Sequence, residues 1–406
     1  MKMTKPLSRR AFLARSAVLG CSAAASPFLT PVSLAAAPWD TRLVVIILRG
    51  GMDGLDVVRP YGAPEYAKLR GKLATGSERA AHDLDGFFAM HPALGPLNGL
   101  WGRGDLGFVH AVSTPYRDKR SHFDGQDLLE AGSNTLNGVR DGWLNRMLAH
   151  VPGVEARTAF AIGQGEMKVL AGPAPVADWS PDSDLLLSPQ AERLAELIMQ
   201  DDPAFHAALS EALLLSTDDN MQPAMDSGTG MAMEMPAPSR GRAHLKVAEF
   251  AAEQLRGETR IASFSINGWD THGRQAQSIS RALGRLADTI LTIQQGVGAG
   301  VWGKTAIVAM TEFGRTARIN GTGGTDHGTG GAMVLAGGAI RGGKVHGTWP
   351  GLAEDDLFDR RDLMPTGDVR APAAWLMQGL VGLDRGVLEQ SVFPGLDMGG
   401  NPGFLR

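Results

Sequence analysis

Acidic and imidazole side chains stand just past the ends of several short apolar runs in this sequence, at spacings suited to holding a cation. Asp270 and His272, in Asn267-Gly268-Trp269-Asp270-Thr271-His272-Gly273, are two apart. An extended turn would point both the same way, as two ligands of one ion would. Glu312 follows another run in Thr311-Glu312-Phe313-Gly314-Arg315-Thr316, and a glycine-rich stretch then carries Asp326 and His327 ahead of Gly328. Asp53 lies in RGGMDGLD behind a further run. A carboxylate there serves equally as a hard metal ligand or as a hydrogen-bond acceptor bracing the turn. Taken singly, each His or Asp is an ordinary loop hydrogen bonder. Four strand ends delivering such groups, in a chain with only 10 histidines, point to a shared site.

A hydroxyl adds to the set. The run Leu106 to Val112 leads through STPYRDKR to Ser121-His122-Phe123-Asp124, where a helix begins in SHFDGQDLLEAG. Ser121 with Asp124 three residues on is a capping arrangement. The same hydroxyl at a helix N-terminus also sits where an anion is drawn, reinforced by Arg117, Lys119 and Arg120. The sequence leaves cap and nucleophile both open.

Strand-like and helix-like stretches alternate between these groups. Arg42 to Leu48 (RLVVIIL) is a continuous apolar run ending in Arg49-Gly50-Gly51, the pattern of a strand buried on both faces before a sharp turn. Leu106 to Val112, Ala159 to Ile162, Ile261 to Ile266, Thr305 to Met310 and Ala332 to Leu335 read the same way. Ile279, Leu283, Leu286, Ile290 and Ile293 share one helical face. The alternation predicts an α/β fold with a mainly parallel sheet flanked by helices, whose chemistry lies beyond the carboxyl ends of the strands.

Composition narrows the classes. A net charge of −4 with no basic stripe argues against nucleic acid as a partner. The single cysteine, Cys21, excludes a disulfide, a zinc-thiolate site and a cysteine nucleophile in the rest of the chain. Any metal must therefore be held by oxygen and imidazole. Residues 1–35 read as a twin-arginine signal peptide: Arg9-Arg10 in SRRAFLARSAVLG, an alanine-rich middle, and Ser33 and Ala35 before a cut after Ala35. Pro27 and Pro31 interrupt the run, which speaks against a membrane span. The expected partner is the twin-arginine export machinery and the expected location periplasmic or secreted. Val18-Leu19-Gly20-Cys21 also allows lipidation at Cys21. Residues 41–406 read as one domain, in which 213–240, with methionines among Gly, Pro and Ser, are expected to form a flexible loop. Thioethers there would suit copper(I), a separate reading.

RGGMDGLD, YRDKRSHFDGQDLLEAG, GWDTHG, TEFGRT and TDHGTGG, in that order behind a twin-arginine signal, resemble the bacterial exported family grouped as domain of unknown function 1501. That family is considered related to the alkaline phosphatase and sulfatase superfamily. The resemblance implies an alkaline-phosphatase-like α/β/α sandwich with a metal site at the strand ends, and one or two divalent ions, zinc, manganese or calcium. It implies a hydrolase of phosphate or sulfate esters acting on an anionic small molecule or polysaccharide. Asp53 matches the superfamily's first aspartate, Ser121 its hydroxyl nucleophile, and Asp270 with His272 its aspartate and histidine. Glu312-Phe313-Gly314 stands where Asp-His-Gly is expected, and Asp326-His327-Gly328 supplies the right letters in the loop beyond.

On that pattern the metal ligands are Asp53, Asp270, His272, Glu312, Asp326 and His327. Ser121 or a bound water attacks, Arg120 and Arg315 neutralise the equatorial oxygens, and His122 supports a ligand or protonates the leaving group. The departure at Glu312-Phe313 favours an alternative, a non-catalytic protein binding a metal, a polysaccharide or an envelope partner. His91, His110 and His346 read as packed side chains.

Overall fold

The computed structural model describes residues 39–74, 81–117, 120–163, 167–181 and 242–406. The signal peptide with Cys21, Lys119 and the methionine-containing segment 213–240 lie outside these residues. The predicted apolar runs form strands β1 (Arg42–Arg49), β2 (Leu106–Ser113), β3 (Ala159–Ile162), β5 (Ile261–Asn267), β6 (Thr305–Met310) and β7 (Gly331–Ala336), and a short strand that no run marked, β4 (Ala177–Trp179), joins them. Two short edge strands, β8 (Val345–His346) and β9 (Gly367–Asp368), both pair with β2. The sheet order is β8-β2-β7-β6-β1-β5-β3-β4. β1 is central and parallel to β5 and β6, and β3 is parallel to β4 and β5. β7 runs against both of its neighbours, β2 and β6.

Alternation along the strands splits the core into two faces. Leu43 to Leu48 are each no more than 2% exposed. Val44, Ile46 and Leu48 pack on one side with α3 (Ala243–Arg256) and α4 (Gln275–Trp302), whose Ile279, Leu283, Leu286, Ile290 and Ile293 are all buried. Leu43, Val45 and Ile47 pack on the other with Trp143, Leu144 and Met147 of α2 (Trp143–Ala149) and Leu376 and Met377 of α5 (Arg370–Val381). The result is an α/β/α sandwich with a largely parallel sheet. Among the described residues no helix is long and apolar enough to cross a membrane.

The strand ends gather the polar residues. β1, β5 and β6 run parallel and finish at one edge, just before Asp53, Asp270 and Glu312. β2 points the same way, being antiparallel to β7 as β6 is. It feeds through a loop into α1 (His122–Ala131), capped by Ser121. Because β7 is reversed, the connection from β6 to β7 leaves and returns at this same edge. That connection carries Arg315, Asp326 and His327.

Candidate metal centre

Three imidazoles converge on the Asp270 carboxylate. His122 Nε2 lies 3.4 Å from Asp270 Oδ2, and His272 and His327 Nε2 lie 3.1 and 3.3 Å from Oδ1. His272 and His327 Nε2 are 2.9 Å from each other. Donor atoms of His122, Asp270 and His327 all fall within 4.8 Å of one another, the arrangement needed to hold one ion.

Each ring is set by what its other nitrogen touches. His122 Nδ1 is 2.8 Å from Glu312 Oε1, His327 Nδ1 is 2.7 Å from the Arg120 carbonyl, and His272 Nδ1 is 3.0 Å from Asp326 Oδ1. Each of these oxygens accepts, so each Nδ1 carries the proton and each Nε2 turns a lone pair inward. His122 Nε2 is buried without a hydrogen-bond partner. Lone pairs facing one another and a carboxylate repel unless a cation stands between them. A carboxylate or carbonyl behind each imidazole is the usual support of a metal-bound histidine. Imidazole and carboxylate donors fit a divalent ion such as zinc or manganese.

The local folding explains the convergence. Arg120 takes a left-handed backbone (φ 55°), which turns the chain into α1, and Ser121 Oγ caps that helix by a long 3.5 Å bond from Asp124 N–H. His122 then stacks on Phe313, with ring centroids 5.1 Å apart. α1 approaches so closely that a Cβ at Gly125 would meet the Phe313 ring at 3.0 Å. His327 is held by a backbone bridge to Arg315, and a Cβ on the adjacent Gly328 would fall 2.4 Å from the Arg315 carbonyl carbon.

Charge is distributed unevenly. Burial works against ionisation of Asp270, but the hydrogen bond from Arg315 outweighs it and holds the carboxyl below its usual range. Glu312 is likewise kept low despite burial, chiefly by His122, and His122 is raised above the usual histidine value by Glu312 in return. Burial pushes His327 down, so its imidazole is neutral and free to donate its lone pair. The hydrogen bond from His272 holds Asp326 low.

The structure redistributes several roles expected from the sequence. Glu312 is not at the mouth of the site. It is fully buried, accepting from His122, Gln126 and Gly50 N–H on Oε1 and from Thr311 on Oε2. It supports His122, which takes the inward position expected for Glu312. Asp326 similarly stands behind His272, with Asn320 Nδ2 at 3.0 Å.

Arg315 cannot meet a substrate anion. It is buried and donates to Asp270 Oδ1 at 2.8 Å and to the Thr325 carbonyl. Arg120 donates to Asp362 Oδ2 from Nε and Nη2 at 3.2 and 3.0 Å but remains on the wall of an open pocket of about 500 Å³, with His272, His327 and Arg361. Asp53 is separate from the imidazoles. It caps Gly54–Val57, pairs with both terminal nitrogens of Arg70 and accepts from Gln275.

Sequence reasoning missed Gln126, Asp362 and the Arg70–Gln275 pair. None stands at a strand end, so no positional signal marked them. His91 and His110 are packed as expected, both buried and neutral, with pKa pushed down to about 4 by burial. His346 is partly buried and edge-on to Phe404.

No curated protein matches the sequence. Solved structures with similar arrangements include an alkaline phosphatase superfamily protein from Vibrio parahaemolyticus, 11% identical over 84% of this chain and 72% of that one, with a TM-score of 0.36. Alkaline phosphatase from the Antarctic bacterium TAB5 is 13% identical over 74% of this chain and 91% of that one, at 0.32. The lipoteichoic acid synthase LtaP from Listeria monocytogenes is 10% identical over 88% and 76%, at 0.35. The family described as "Protein of unknown function (DUF1501)" matches residues 110–373, a span from β2 to α5 that holds every imidazole of the cluster, and the chain belongs to that family.

Proposed function

We propose that this protein is a metal-dependent hydrolase of phosphate or sulfate esters, with one divalent ion held by Asp270 and by Nε2 of His122, His272 and His327. The observation that carries this reading is the common orientation of the three imidazoles, each with Nδ1–H occupied by an oxygen and Nε2 turned to one carboxylate. When bound, the ion would supply Lewis-acid polarisation of the ester and a lowered pKa at the nucleophile. Glu312, Asp326 and the Arg120 carbonyl keep the ring protons on the outer nitrogens. Arg315 holds the Asp270 carboxylate in place. Arg120 and Arg361, on the wall of the adjoining pocket, meet the anionic ester. Ser121, one residue before His122, is the nucleophile in this reading, because its long cap contact is readily given up.

In this reading residues 41–406 act as one domain. Export by the twin-arginine machinery to the periplasm or beyond belongs to the same proposal and is supported by Arg9-Arg10 and the following apolar run.

The test is elemental analysis of protein purified without a tag or chelator, alongside a panel of aryl phosphates and sulfates. Near-stoichiometric zinc, manganese or calcium is expected in the native protein, and its loss in Asp270→Ala and His327→Ala. A folded, metal-free native protein overturns the reading. A non-catalytic binding role has one observation in its favour, that Asp53 and Arg315 are both buried and consumed by partners within the protein. Bound metal without turnover of any ester would select it.

A further inference from the structure

A second cavity, of about 780 Å³, opens on Asp270 from the side of β3 and β5. It reaches from the strand ends to the early turns of α4, where Arg281 and Arg285 line it, and Val247 and Ile266 add apolar surface. Arg285 lies over the turn that leads to Asp270. Its Nη2 donates to the Asn267 carbonyl at 3.0 Å, and a Cβ on Gly268 would come within 2.6 Å of the same nitrogen.

The donors of this cavity are under-used. Arg285 Nε and His244 Nε2 are buried with no hydrogen-bond partner, and the nearest carboxylate to His244 is Asp288 at 3.7 Å. Arg281 makes one long Nε contact, 3.3 Å to the Gln277 carbonyl, and its terminal nitrogens have no protein partner among the described residues. A buried donor without an acceptor is unfavourable until an acceptor arrives. Two guanidiniums lining one cavity, four residues apart on α4, carry like charge, and an anion bound there offsets it while using the planar donor geometry.

We propose that Arg281 and Arg285 bind a second anionic group of the substrate, a phosphate, sulfate or carboxylate lying away from the ester that is cut. The inference rests on the reading of the Asp270 cluster as the hydrolytic centre, since the cavity opens on that carboxylate. It makes the preferred substrate one with two acid groups joined by a partly apolar body, and simple aryl monoesters poor ligands.

Calorimetric titration of inorganic phosphate into chelator-treated full-length protein tests this without relying on turnover. Saturable binding is expected in the native chain. It should weaken at least tenfold in Arg281→Gln/Arg285→Gln and severalfold in Arg281→Gln alone, with Arg285→Lys recovering part of the loss. Near-UV circular dichroism identifies a misfolded double variant, in which case Arg281→Gln, at an exposed position, decides. Equal binding in native and substituted proteins, or no saturable binding to the native chain, overturns the proposal. Metal content of the same preparations before chelation separates the two ideas. A metal-free native protein whose phosphate binding still depends on the arginines sinks the hydrolytic centre and not the anion subsite.

Discussion

Asp53 and Asp270 follow neighbouring parallel strands, β1 and β5, at the same end of one sheet, yet their surroundings are opposite. Asp53 is 1% exposed and faces a buried guanidinium, Arg70, with Gln275 completing its bonds. The Asp270 side chain is 45% exposed and, apart from Arg315, faces the inward Nε2 atoms of three imidazoles. Beside Asp53, Asp56 repeats the sealed arrangement with Arg59 and Gln275. A permanently charged partner satisfies a carboxylate for good, whereas lone pairs leave it waiting for a cation. A strand-end position makes a carboxylate available, and the neighbouring charge decides whether it becomes a ligand.

The largest expected effect lies on the sealed side. Arg70→Met strands Asp53 without its counter-charge and should cost about 3–5 kcal/mol in denaturant unfolding. Asp270→Ala, on the open side, should cost less in chelated protein, because that carboxylate is half exposed and Arg315 keeps the Thr325 carbonyl, and equal losses would erase the contrast between the two regions.

Acid should also attack the sealed side first. His91, near Asp56, is neutral when folded with its pKa pushed down to about 4, against an ordinary value of 6.5. The unfolded chain therefore binds the extra proton between those limits, and stability falls as pH drops from about 6.5 to 4, by up to about 3 kcal/mol. His91→Asn keeps an acceptor for the Ala93 N–H that His91 now caps. It should shrink the fall in unfolding midpoint between pH 7 and pH 4.5, and an unchanged fall would show that His91 does not carry it.

A smaller effect sharpens the open side. Glu312→Gln preserves shape but weakens the support behind His122, so metal affinity should drop about tenfold to a hundredfold. Competition with a chromogenic chelator reads this directly. Asp326→Asn, whose carboxylate is half exposed behind His272, should cost less than Glu312→Gln. The reverse order would place His272, and not His122, at the heart of the site.

Much of the framework was legible because strands buried on both faces leave continuous apolar runs. Each predicted run became a strand, and the Ile279–Ile293 face lies in α4. The direction of β7 was not legible, since an apolar run reads the same whichever way it points. Within the cluster around Asp270, that residue with His272 and His327 could be singled out by type and position. The exchange of places between Glu312 and His122 could not, because sequence spacing carries no measure of depth, and depth separates the inward-facing imidazole from the carboxylate behind it. Arg315 was misread for the same reason. Its charge suggested substrate, and its burial commits it to Asp270 and Thr325.

The reversal of β7 has a consequence for how fast the site can change. In a wholly parallel sheet the segment after β6 would have to cross to the far edge through a helix, leaving its early loop tethered at one end. Here both ends of 311–330 are sewn into adjacent strands, and the bridges Arg315–His327, Thr316–Asp362 and Gly273–Gly323 stitch it in between. His327 is thus tied to the sheet rather than to a free loop. The amide of the adjacent Gly328, which donates to the Gly314 carbonyl, should exchange with solvent on the slow clock of the sheet, and an ion seated there would leave by the opening of its shell.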